Sequence, residues 1–374
     1  MIICSLTKHT SCIMNQHFVP RVYLKKFATK RGKEYFVDVF DKAESRYFNA
    51  NIRKVCTEID LYTLEPNATG EKDVLAVENL YANHIEPLYL KIYDILVNDE
   101  IFNISDLERK EIVLGILHFH MRNPRVLKRA IAHHRIAIAE LCTEARAKKG
   151  NGITYFEEDF SFREWSEESI ADYFAEKTAK EFKEKHILGT KQITNFHELA
   201  KIEINIARGD SKFLTSDNPL VAEDFITKYE NPLSKSTEFI FPLNQKYSVR
   251  LYHDNTRELN TIRRGFMPDG SVNSINEKVF AQSTRFLFGD KQSFNEYFHL
   301  QDFMQNDSLE LKMDMIKQIL ALRPDNEYSK ASHPTLQEYY EKYMTEGTIN
   351  IEEEQRVFNK IRQIAIEFKN KNIQ

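Results

Sequence analysis

The hydrophobic period changes twice along this chain, and that change limits the fold more than any single motif. Tyr35 to Phe40 and Arg46 to Phe48 alternate apolar and polar residues and read as the two arms of a β-hairpin. From Asp73 to about His186 the apolar residues recur at helical spacing. Ala200 to Ala207, Phe239 to Leu243, Tyr247 to Tyr252 and Arg285 to Phe288 return to strand patterning. Strands and helices in blocks, rather than in strict alternation, predict an α+β fold, a helical bundle segment packed on a mainly antiparallel sheet.

Local signals set the expected boundaries. Asn51 to Leu64 reads as a turn and short strand ending at Asp60-Leu61-Tyr62. In the run from Asp73 to Val97, Pro87 predicts a kink or a restart. Ser105 and Glu108 form a capping box for the next helix, which Asn123-Pro124 interrupts before a segment from Arg125 to about Lys148. Trp165-Ser166 opens a Lys- and Glu-rich helix to about His186. Arg208-Gly209-Asp210 reads as the turn of a second hairpin, with Lys212 to Thr215 as its return strand. A helix from Ser274 to about Ser283 precedes the last strand, and Ile349 to Asn370 reads as a charged amphipathic helix. Residues 1–13 carry no period and read as a loose extension ahead of a core domain at 14–290, with 291–374 as a helical C-terminal extension.

Of the 374 residues, 42% are hydrophobic, enough for a sizeable core, and the net charge is only −4. A general nucleic-acid binder is usually basic, so any such contact must be local. No apolar run reaches 18 residues, so no membrane span is expected, and the first residues lack the apolar core of a signal peptide. The four cysteines show no CxxC pairing and read as free thiols in the cytoplasm. Gly-rich phosphate loops, HExxH, GxSxG and Cys/His metal patterns are absent from the sequence.

Polar residues gather where apolar segments end. His17 stands ahead of Pro20, which opens a short helix carrying Tyr23, Leu24 and Phe27. His118, His120 and Arg122 end a strongly apolar helix, with His118 and Arg122 four apart on one face. Ser216-Asp217-Asn218-Pro219 follows Phe213 and Leu214, and the His17 helix is expected to pack beside that segment so that the two motifs meet. Arg129 and His134 also have the R-x4-H spacing of helical metal-independent ribonucleases, although Ala130 stands where those enzymes usually carry a polar residue.

His17-Phe18-Val19-Pro20 with Tyr23-Leu24 and Phe27, then Arg122-Asn123-Pro124, Thr215-Ser216-Asp217-Asn218-Pro219 and Phe241-Pro242-Leu243, with Asn276 and the Arg285 to Gly289 strand, together resemble a bacterial family, the domain of unknown function 4238. The resemblance covers roughly Met14 to Gly289 and implies a setting in antiviral defence. It supplies no catalytic residue. The chemistry is therefore read from the residues themselves. His17 and His118 are candidate general acids or bases, and Arg122 a candidate clamp on phosphate. Asp217 would orient a histidine or hold a divalent metal ion, the metal being left open, while Asn218 and Ser216 would bind substrate. The reaction expected is cleavage of a nucleic-acid or nucleotide phosphodiester. The rival is a non-enzymatic sensor triggered by a phage product, and a third reading makes the polar motifs structural tie points. Oligomeric state is not legible.

Overall fold

The computed structural model describes residues 14–65, 73–208, 210–224, 226–227, 231–254, 258–267, 269–295, 297–298 and 327–346, with positions 317, 320, 356, 357 and 360 beyond. The expected N-terminal extension and most of the expected tail helix lie outside them. In chain order the first elements are β1 (Asn15–His17), α1 (Arg21–Leu24), β2 (Thr29–Arg31), β3 (Glu34–Asp41), β4 (Arg46–Asn51) and β5 (Thr57–Ile59). The helical middle follows as α2 (Ala76–Leu80), a π-helical turn (Tyr81–Ile85), α3 (Glu86–Val97), α4 (Asp106–Arg122) and α5 (Pro124–Ala147). Next come β6 (Gly152–Tyr155), β7 (Glu158–Ser161), α6 (Glu167–Phe196) and β8 (Lys201–Ala207). The chain continues through β9 (Thr215–Ser216), β10 (Val221–Asp224), β11 (Thr237–Pro242), β12 (Tyr247–Tyr252), β13 (Ile262–Met267), α7 (Asp269–Gln282) and β14 (Phe286–Gly289). A further helix spans Glu327–Glu346. The fold class is α+β, as the period changes predict.

Two five-stranded sheets carry the fold. One has the order β10-β11-β12-β8-β13, antiparallel except that β13 joins β8 in parallel. The other is built on β3, which pairs with β2, β4 and β14, while β14 also pairs with β9. The largest core lies between the first sheet and the helices. Ile202, Ile204, Phe241 and Val249 meet Tyr89 and Ile92 of α3 and Ile112, Ile116 and Phe119 of α4. Close approach of the helices is written into two glycines. A Cβ on Gly115 would stand 2.3 Å from Ile92 Cδ1, and one on Gly189 would stand 2.6 Å from Met121 Cε. Gly115 thus admits α3 and Gly189 admits α6 against the same helix α4.

The restart expected at Pro87 is found: α3 begins at Glu86. Pro87 sits in the first turn of α3, where its missing amide hydrogen costs nothing, directly after the π-helical turn. Other local expectations change in detail. The helix expected to end near His186 runs on to Phe196, burying Thr190 and Ile193 in its last turns. The hairpin expected across Arg208-Gly209-Asp210 does not form. β8 is nearly buried along its length and has both edges occupied, by β12 and β13, so no slot remains for a sequential return strand. The chain instead crosses to the other sheet, where β9 pairs with β14. The short strands β2, β6, β7, β10 and β13 have no strong sequence signal of their own.

Tyr23 ties these layers together. Its ring is fully buried against Phe119 at 5.2 Å and Phe241 at 4.9 Å between centroids. Its hydroxyl donates to the Pro242 carbonyl at 2.8 Å and shares a 2.5 Å hydrogen bond with Thr215 Oγ1. The His17 helix therefore meets the segment that opens the Ser-Asp-Asn-Pro motif, and both meet the Phe-Pro-Leu strand. Tyr23→Phe keeps the ring but leaves the buried Pro242 carbonyl and Thr215 hydroxyl short of a partner. Urea unfolding should show a loss of about 1–3 kcal/mol, and an unchanged midpoint would refute the tie.

Candidate functional site

Four sequence motifs converge through backbone contacts. Arg122 at the C-terminal end of α4 is fully buried, and its Nε and Nη2 donate to the His17 carbonyl at 3.1 and 2.7 Å. Its guanidinium lies 4.0 Å from the Tyr81 ring centroid and 3.4 Å from Glu86 Oε1. The Tyr62 hydroxyl donates to the Arg122 carbonyl. The next residue, Asn123, caps α5 by accepting from the Arg125 amide and donates Nδ2 to the Asp217 carbonyl at 2.7 Å. Arg122-Asn123 thus bridges the His17 and Asp217 motifs. The fixed side chain of Arg122 grips backbone and leaves its fork no open direction toward a ligand.

Asp217 is the most heavily used carboxylate of the set. Its Oδ1 accepts from the Thr284 amide at 2.8 Å, and its Oδ2 accepts from those of Arg285 at 2.7 Å and Phe286 at 3.0 Å. Its own amide donates to the Phe286 carbonyl. Burial pushes its carboxyl above the usual carboxylate range, against the pull of those three amides. Ser216 Oγ donates to the Asn218 carbonyl and accepts from the Asn218 amide, and Asn218 Nδ2 donates to the Gln282 carbonyl. This is the geometry of a locked turn.

The buried histidines near these motifs are held neutral. His17 Nε2 lies 3.2 Å from the Ile52 carbonyl, so that nitrogen carries the proton and Nδ1 is the bare one. Burial lowers its pKa to about 4, with the Ile52 bond opposing and Arg21 and Arg122 adding to the shift. His118 is buried with neither ring nitrogen hydrogen-bonded, and burial followed by the Arg122 charge lowers it to about 3. His120 is buried too, lowered to about 4 by burial and then by Arg125 and Arg129. His186, unremarked in the sequence, donates Nδ1–H to the Phe182 carbonyl and accepts from the Tyr81 hydroxyl. His134 stacks on Phe174, and its Nδ1 bonds the Tyr155 hydroxyl at 2.9 Å.

Beside Asp217 opens a cavity of about 660 Å³, within the range of small-molecule sites. Five stretches of chain line it: Phe18, β3–β5 with their connections, the start of α5 from Asn123 to Lys128, Asp217, and Thr284 to Phe286. Of the six residues singled out in the sequence for a site, only Asp217 lines it. The other charged residues on its wall are Lys54, Arg125, Lys128, Arg285 and Glu58, and its apolar walls include the half-buried rings of Phe18, Phe36, Phe48 and Phe286. Lys128 pairs with Glu58 at 2.8 Å, and Arg285 with Asp41 at 2.7 Å. The Arg125–Lys128 spacing, one helical turn after Asn-Pro, was a readable signal for this wall. The cavity itself was not, because its sides come from residues up to 268 positions apart in the chain (18 and 286). Among the described residues, no three His, Cys, Asp or Glu side chains converge as a protein-only metal site requires.

Two outcomes test this assignment of roles. Asp217→Ala would strand three amides in a buried place, and denaturant unfolding should show a loss of about 3 kcal/mol or more. A loss below about 1 kcal/mol would mean that the clamp is not formed. For pH, His118, His120 and His186 sit at about 3, 4 and 4 in the folded chain, below an unfolded value near 6.5. The unfolded state takes up protons first, so this stability is fully present above pH 6.5 and drains as pH falls toward 4. At pH 5 each histidine costs about 2 kcal/mol. Asp217, shifted upward, has the opposite sign and gains from acid. The melting temperature should fall between pH 7 and pH 5, and a flat profile would contradict the burial of these rings.

A family model described as a protein of unknown function, DUF4238, matches residues 15–293. No curated protein and no solved structure matches the chain. With more than half of its length matched, the chain belongs to the DUF4238 family.

Proposed function

We propose that the cavity beside Asp217 receives a phosphorylated ligand, a nucleotide or a nucleic-acid strand, and that the chain acts by recognising it. The observation that carries this reading is the meeting, in one cavity, of Lys54, Arg125, Lys128 and Arg285 with four phenylalanine rings. Cations hold phosphate, and aromatic faces take bases of any identity. The capped N-terminal end of α5 adds its positive dipole on the same wall. Recognition is favoured over cleavage because no histidine stands among the described residues that line the cavity, and Asp217 already accepts three amides. A sensor in bacterial antiviral defence, responding to a phage-derived product, fits this reading. Phosphodiester cleavage is the second reading, and the presence of the Asp217 carboxylate on the cavity wall is what favours it.

Calorimetric titration of the full chain with AMP and ATP tests the proposal. Arg125→Ala should weaken binding by about tenfold or more, as loss of a charge-assisted phosphate contact does, with the melting temperature nearly unchanged. Absence of heat and of thermal shift with every nucleotide would overturn the site. Turnover of RNA, DNA or nucleotides with Mg²⁺ or Mn²⁺, lost in Arg125→Ala, would replace recognition by cleavage.

A further inference from the structure

The overall charge of −4 conceals a strong segregation. Residues 21–54 hold ten Lys and Arg against four Asp and Glu, and residues 122–135 hold five basic and no acidic residues. Both stretches contribute to the cavity lining, the first through Phe36, Phe48 and Lys54 and the second through Asn123 to Lys128. Many of their cations already have a structural task. Arg122 holds the His17 carbonyl, Lys42 caps the end of α7 through the Phe280 carbonyl, and Lys128 pairs with Glu58. Lys30, Arg31, Lys33 and Lys54 do not. All four are exposed, and they stand outside every ion pair among the described residues. Lys30, Arg31 and Lys33 sit at the tight β2–β3 turn, where Gly32 has φ +63°. The Arg31 guanidinium lies 5.2 Å from the centroid of the Phe36 ring, and Phe36 is a cavity wall. The turn therefore carries unspent positive charge out from the edge of the cavity.

We infer that the ligand is a single-stranded nucleic acid, with bases received in the cavity and its backbone continuing over the basic β2–β3 turn. The inference rests on the recognition reading above and adds the polymer to it. A mononucleotide would need the cavity cations alone and gives no use to Lys30, Arg31 and Lys33. A chain of phosphates does, because each neutralised phosphate releases counterions and adds affinity. Single strands rather than duplexes follow from the rings. Phe36, Phe48 and Phe286 offer faces and edges for unstacked bases, with Phe48 and Phe286 set edge-on at 6.2 Å. Bases in a duplex keep their faces against one another and are not available to such walls.

The test uses the full chain and fluorescein-labelled strands of about twelve nucleotides, the scale of one single-strand site, as RNA, as DNA and as a duplex. AMP is measured by competition. Single strands should bind about tenfold or more tighter than AMP, with affinity falling at a log–log salt slope of about −3 for roughly four phosphate contacts. The double variant Arg31→Glu/Lys33→Glu should weaken strand binding by about fivefold or more and leave AMP affinity unchanged, since both residues are outside the cavity. Strand affinity unmoved by the double variant, strand affinity equal to that of AMP, or tighter binding of the duplex would each overturn the inference. With AMP bound normally, such a failure leaves the recognition site standing. If neither AMP nor strands bind, both fall together.

Discussion

A 2.7 Å hydrogen bond, from the Asn123 side chain to the Asp217 carbonyl, joins the helical layer to the segment that follows β9. The rest of the cavity is arranged around it. On one side Asn123 caps α5 and so fixes where Arg125 and Lys128 project. On the other side Asp217 gathers the amides of 284–286 and fixes where Arg285 and Phe286 stand. An amide side chain is well suited to this position. Its oxygen accepts from one backbone while its nitrogen donates to another, which an ionised carboxylate, having no donor, does not do.

The motif residues thus shape the cavity without presenting most of their own side chains to it. His17 contributes its carbonyl to Arg122, and Phe18, the next residue, contributes a wall. Ser216 and Asn218 lock the turn that aims Asp217. Tyr23, Thr215 and Pro242 join three motifs at one buried hydroxyl. Residue pattern and residue role are separated by one or two positions along the chain. A site built in this way depends on its supports as strongly as on its lining, because a displaced helix start moves two cations together.

The period of the chain made the α+β class legible, as did the β3–β4 hairpin, the Ser105 capping box and the Asn123 break, since each rests on contacts within a few residues. The polar clusters at His17, Arg122 and Asp217 were legible as places where something polar is held. Their partners were not, because a carboxylate that accepts three amides 67 to 69 residues away has the same sequence as one open to a substrate. The false hairpin after β8 has a related cause. Arg-Gly-Asp signals that the chain turns, but whether the next strand joins the same sheet depends on which edges other strands have already taken.

The charge segregation has a consequence away from any contact. With +6 on residues 21–54 and +5 on residues 122–135, a total of −4 leaves −15 on the remainder of the chain. The charge is thus segregated along the sequence, and an isoelectric point of about 6.3 describes neither part. In dilute salt a passing polyanion is drawn toward the basic stretches that contribute Lys54, Arg125 and Lys128 to the cavity. The same segregation gives the basic stretches of one copy an attraction for acidic stretches of another, held off by salt once the Debye length falls to about 8–10 Å. At low ionic strength the protein is expected to behave on an ion exchanger as two oppositely charged surfaces, retained by either resin despite its modest net charge.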